Sequence, residues 1–78
     1  MTLRETVEGM CARGMELRFN GCMEPGGAAT VVTGRARHRD GSLVEHQVIV
    51  SQAEPHAELA LQTACGRVWQ SLEEGLKR

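Results

Sequence analysis

The side chains in this sequence that could do chemistry are three cysteines, three histidines and one dense run of arginines. Cys11, Cys22 and Cys65 cannot all pair, and no two stand in a C-x-x-C spacing. His38, His46 and His56 show no metal-ligand spacing with one another or with a cysteine. A thiolate nucleophile would need a base such as His46 at hand. Cys11 and Cys65, however, fall on apolar helical stripes, where a thiol packs as a small hydrophobe and stays inert. Nothing reads as a nucleophile elbow, a phosphate-binding glycine loop or a pair of carboxylates, and Gly26-Gly27 lies in a turn between strands. The expectation is a non-enzymatic chain with no metal and no cofactor, whose reduced thiols predict a cytoplasmic location. The N-terminus lacks the apolar core of a signal peptide, and no apolar run reaches the length of a membrane span.

The basic run is Arg35-Ala36-Arg37-His38-Arg39. Guanidinium groups suit carboxylates and phosphates alike, because their planar fork donates two parallel hydrogen bonds. Charge over the rest of the chain is mild and asymmetric. Residues 1–39 carry six Arg against four Glu, a balance of +2, and residues 40–78 carry three basic against six acidic groups, a balance of −3. That supports a dipolar surface and not a polyanion binder on charge alone.

The elements that must position these groups follow from spacing. Thr2-Leu3-Arg4-Glu5 is a capping box opening a helix, with Leu3, Val7, Met10 and Cys11 on one stripe and Gly14 as its stop. Met15, Leu17 and Phe19 alternate with polar residues as a half-buried strand, and Glu24-Pro25-Gly26-Gly27 turns the chain. A second capping box is expected at Ser51-Gln52-Ala53-Glu54, with Pro55 in the first turn of the following helix. Along that helix Leu61, Cys65, Val68, Leu72 and Leu76 form a strong stripe, joined by Ala57, Ala64 and Trp69, for about five turns ending near Gly75.

Between these lies Thr30 to Ser51, two alternating runs broken by Arg39-Asp40-Gly41. A two-residue Asp40-Gly41 loop would mix charged and apolar groups on both faces. A three-residue loop, with Gly41 in the left-handed region, pairs Ala36 with Val44, Val32 with Val48 and Thr30 with Val50 on one face. The other face then holds Arg37 with Leu43, Arg35 with Glu45, and Val31 with Ile49. A one-residue slip moves every side chain across the sheet, so the cleaner segregation selects the three-residue loop.

The fold class predicted is α+β: one small domain of order α-β-β-β-α, a three-stranded antiparallel meander with both helices packed on one face. Seventy-eight residues give a marginal core, and with Phe19 and Trp69 as its only aromatics that core must be aliphatic. The α-β-β-β-α order resembles the double-stranded RNA-binding domain in layout. That resemblance implies nucleic-acid contact through a lysine-rich start of the second helix, where this chain reads Ala53-Glu54-Pro55-His56-Ala57-Glu58, which is acidic. Nucleic-acid binding through the Arg-rich hairpin is therefore the alternative expectation.

The leading expectation is a protein-interaction module. Its docking residues are Arg35, Arg37, Arg39, Leu43, Glu45, Ile49 and Val31, on the outer sheet face, with Leu59 off the main stripe of the second helix. The partner is another protein or a second copy of the chain, met on the outer face or a free sheet edge. Size and the lack of a catalytic constellation suit an accessory or inhibitor protein of the kind that phages and mobile elements carry.

Overall fold

The computed structural model describes residues 2–52 and 56–77. It contains α1 (Leu3–Ala12), β1 (Glu16–Glu24), β2 (Gly27–Arg37), β3 (Leu43–Ser51) and α2 (Ala57–Leu76). The strands form one antiparallel sheet in the order β1-β2-β3, with helices against it: an α+β fold.

α1 starts where the capping box places it. The Thr2 hydroxyl accepts from the Glu5 amide at 3.2 Å, and the Glu5 carboxylate accepts from the Thr2 amide at 3.2 Å. The Thr2 hydroxyl also donates to the Glu5 carboxylate at 3.0 Å, and that bond first, then the one from the Thr2 amide, holds the Glu5 carboxyl below its ordinary pKa. At the other end Gly14 takes a φ of +78°, which a residue with a Cβ reaches only at a cost. The buried face of α1 differs from the expected stripe, since Thr6 and Met10 are buried while Val7 is half-buried and Cys11 exposed. Thr6 reads as polar, yet its hydroxyl donates to the Thr2 carbonyl at 3.1 Å, so its polar atom is satisfied inside its own helix and its methyl is left to pack.

The β2–β3 hairpin has the three-residue loop. Ala36 pairs with Val44 and Arg37 with Leu43, the Gly41 amide donates to the His38 carbonyl at 2.9 Å, and Gly41 has a φ of +88°. α2 begins at Ala57, later than the start expected after Ser51. Ser51 ends β3, the α2 N-cap is His56 without a side-chain cap bond, and Ala53, Glu54 and Pro55 lie outside the described residues.

The core joins Met10 and Met15 to Val32, Ala36 and Val50 of the sheet and to Ala64, Cys65, Val68 and Leu72 of α2. α2 lies on β2 and β3, and α1 packs on α2 and β1. Close approach of α2 to the sheet is made possible by missing side chains. A Cβ on Gly34 would stand 2.2 Å from Val68 Cγ1, and one on Gly75 would stand 2.6 Å from Val44 Cγ1. Coverage of the inner face is incomplete, contrary to expectation. Phe19 and Met23, on the helix side of β1, remain 43% and 79% exposed because α2 does not extend over that strand. Among the described residues no helix is long and apolar enough to cross a membrane.

Candidate protein-docking site

Alternation along the strands builds the outer face in rows. Arg35 stands between Glu16 and Glu45, Thr33 between Arg18 and Gln47, and Val31 between Asn20 and Ile49. Arg35 Nε donates to Glu45 Oε2 at 2.7 Å, and Arg18 Nη2 to Glu16 Oε1 at 3.2 Å. Both pairs are open to solvent, where such contacts contribute roughly 0–1 kcal/mol. Arg37 is exposed and donates to the Gly41 carbonyl at 3.1 Å, while Arg39 projects from the loop. The loop is stiffened by Asp40, which accepts from the Ser42 amide at 2.8 Å and the Ser42 hydroxyl at 2.6 Å. Those bonds, with a smaller contribution from His38, hold the Asp40 carboxyl below its ordinary pKa.

The seven outer-face residues therefore fall into two groups. Arg35, Arg37, Arg39, Leu43 and Glu45 gather at the loop end, where Leu43, Arg35 and Arg37 border a shallow cleft shared with Arg13 and Glu16. Val31 and Ile49 lie four residues along the strands, roughly 13 Å away. Val31 is half-buried and Ile49 is 58% exposed.

A groove of about 450 Å³ runs between β3 and the first half of α2 and reaches Ile49 at the sheet edge, while the Ile49 side chain stays on the outer face beside Val31. Ile49 and Val50 line it on the strand side; His56, Leu59, Thr63 and Arg67 line it on the helix side. Leu59 is 59% exposed. β3 is an edge strand, and its hydrogen-bond phase can be read from the ends of the hairpin. His38 N donates to Ser42 O and Gln52 N to Ala28 O, so even-numbered β3 residues bond β2. Backbone groups alternate in direction along an antiparallel strand, so those of Glu45, Gln47 and Ile49 point outward. Two signals for this groove were visible in the sequence, the outward Ile49 and the off-stripe Leu59. Their nearness was not, because it depends on where α2 crosses the sheet.

The thiols differ in environment. Cys65 is fully buried, and burial pushes its thiol pKa up; Cys22 is half-buried, and Cys11 is exposed. In the native protein a disulfide reagent such as DTNB is expected to modify Cys11 within seconds and leave Cys65 unmodified until denaturant is added. Rapid modification of Cys65 without denaturant would contradict its burial. Because ionisation of Cys65 is favoured only after unfolding, stability is expected to fall as pH rises past about 8.5, the thiol's unfolded value. Among the described residues no three His, Cys, Asp or Glu side chains gather as a metal would require. His46 sits opposite Gly34 on the inner side of β3, but exposed at the strand edge and not within the core. No protein-family model, curated protein or solved structure matches this chain.

Proposed function

We propose that this chain is a non-enzymatic protein-interaction module that accepts an extended segment of a partner along the free edge of β3. The observation that carries this reading is the β3–α2 groove. Ile49, whose side chain is exposed on the outer face, and Leu59, exposed on the helix, both border it beside the outward-pointing backbone groups of the β3 edge. Strand addition of this kind draws affinity from main-chain hydrogen bonds and specificity from pockets for alternate side chains. Arg67, in the groove, favours a partner segment with an acidic residue at that end, and the Arg35–Glu45 pair and Arg37 extend the surface toward the loop. An accessory or inhibitor role fits such a module.

The test is selection of a displayed random-peptide library on the immobilised protein. The expected result is enrichment of segments with apolar residues at alternate positions. Binding of a selected peptide should weaken at least tenfold with Ile49→Asp and with Leu59→Asp, a loss of about 1.4 kcal/mol each, with circular dichroism unchanged. Peptides that bind equally to both variants would sink the proposal. The alternative, nucleic-acid binding in a layout like the double-stranded RNA-binding domain, draws on the shared helix and strand order. It predicts a salt-sensitive mobility shift on RNA or DNA that is lost with Arg35→Ala and Arg37→Ala. Against it stand Glu58 in the first turn of α2 and the carboxylate partners of Arg35 and Arg18.

A further inference from the structure

The opposite edge of the sheet is also open, and its sequence matches itself. Even-numbered β2 residues bond β3, so the odd-numbered ones bond β1. Their register partners are the even-numbered residues of β1. The backbone groups of Leu17, Phe19, Gly21 and Met23 consequently point away from the sheet. Phe19 and Met23, two of the large exposed apolar side chains, lie along this edge on the helix side, two residues to either side of Gly21. Gly21 itself meets nothing: a Cβ there would have open space around it. The strand contains neither lysine nor proline, the residues that commonly guard an edge.

We infer that β1 pairs antiparallel with β1 of a second copy, about a two-fold axis at Gly21, to give a continuous six-stranded sheet. Register favours this arrangement over its two neighbours. With Gly21 opposite its own copy, Phe19 faces the partner's Met23 and Met23 faces the partner's Phe19 on the helix side. On the other side Arg18 faces the partner's Glu24 and Glu24 the partner's Arg18. Four cross-strand matches thus arise from one axis, two aromatic–thioether and two of opposite charge. Sliding the copies so that Asn20 meets its own copy places Glu16 opposite Glu24 and Phe19 opposite Gly21. Sliding the other way puts Cys22 on the axis and Phe19 opposite Pro25, outside the strand. Neither alternative joins opposite charges. Arg18, which bonds Glu16 at 3.2 Å within its own strand, lies between two carboxylates in the dimer.

About six inter-strand hydrogen bonds close the pairing, from the outward groups of residues 19, 21 and 23. β3 shows no such self-match, because Glu45 is its one carboxylate and it carries no Lys or Arg to face it. The β1 pairing is independent of the β3 groove, which it leaves open.

The experiment is sedimentation over a concentration series, with charge reversal. Wild type is expected to dimerise, and Arg18→Glu and Glu24→Arg each to raise the dissociation constant at least tenfold, with circular dichroism unchanged. Mixing the two variants in equal amounts should restore dimers, because the mixed pair joins opposite charges at both sites. A Gly21→Cys variant lacking Cys11 and Cys22 should form an intermolecular disulfide across the axis, since directly opposed strand residues lie within bridging distance. Ile49→Asp should leave the dimer intact, which separates this surface from the peptide groove. A protein that stays monomeric at about 1 mM, where even weak pairing would show, overturns the inference. So does a dimer indifferent to both reversals.

Discussion

Replacing Gly34 by alanine is expected to cost about 3 kcal/mol or more, although the change adds one methyl group. The new Cβ would lie 2.2 Å from Val68 Cγ1 and 2.9 Å from Leu72 Cδ1, both well inside van der Waals contact. Neither neighbour can yield readily. Val68 and Leu72 are fully buried, and Gly34 sits in the central strand between Leu17 and His46. Overpacking a filled core costs about 1–3 kcal/mol when side chains alone adjust. Here α2 would have to lift from the sheet. A chain of this length has roughly 4–12 kcal/mol of total stability, so the variant should be marginal at room temperature. Urea unfolding followed by circular dichroism measures this directly. Two comparisons identify the cause. Gly66→Ala, on the same helix with open space around it, should gain up to about 1 kcal/mol from helix propensity. In a Val68→Ala background the nearest clash is gone, so Gly34→Ala should cost distinctly less than it does alone. Equal costs in both backgrounds would show that the close approach of α2 is not the reason for glycine here.

The contrast between Gly34 and the hairpin shows which parts of this fold can be read from the chain. The β2–β3 register was legible because one slip would have exposed Val44 and Val48 and buried Arg35. Hydrophobic alternation alone penalises that error. The α2 stripe was legible for the same reason, since Ala64, Cys65, Val68 and Leu72 recur at helical spacing and are the residues found buried. Gly34 and Gly9 are the opposite case, because propensity counts what a glycine loses and not what its absent Cβ makes room for. Thr6 is invisible to the stripe because a hydroxyl counts as polar, although its bond to the Thr2 carbonyl leaves the methyl to pack. The face of β1 left bare at Phe19 and Met23 depends on where α2 lies across the sheet, a tertiary quantity that periodicity does not encode. Ile49 and Leu59 likewise read as two unrelated exposed aliphatics. Only the crossing of α2 over β3 brings them to one groove.

Trp69 is the second position where a large effect is expected, because it is the point at which α1 is held. Its ring lies against Gly9, where a Cβ would stand 2.8 Å from Cη2. Its Nε1 donates to Glu73 Oε1 at 2.8 Å, and the Arg13 guanidinium lies 5.4 Å from the ring centroid while bonding the same carboxylate oxygen. The indole thus combines apolar contact, a hydrogen bond and a cation–π contact at one helix–helix junction. Trp69→Ala is expected to cost about 3 kcal/mol, at the low end for a tryptophan because the ring is only half-buried. A double-mutant cycle with Gly9 assigns the mechanism by sign. In the wild-type background Gly9→Ala drives a methyl group into the ring and should destabilise by about 1–3 kcal/mol. In the Trp69→Ala background the obstacle is gone, and the same change should stabilise by up to about 1 kcal/mol through helix propensity. Trp69 is the sole tryptophan, so its fluorescence reports the first arm independently, and a red shift should accompany Gly9→Ala as the ring is pushed toward water. If Gly9→Ala has the same effect in both backgrounds, α1 is not docked through this ring.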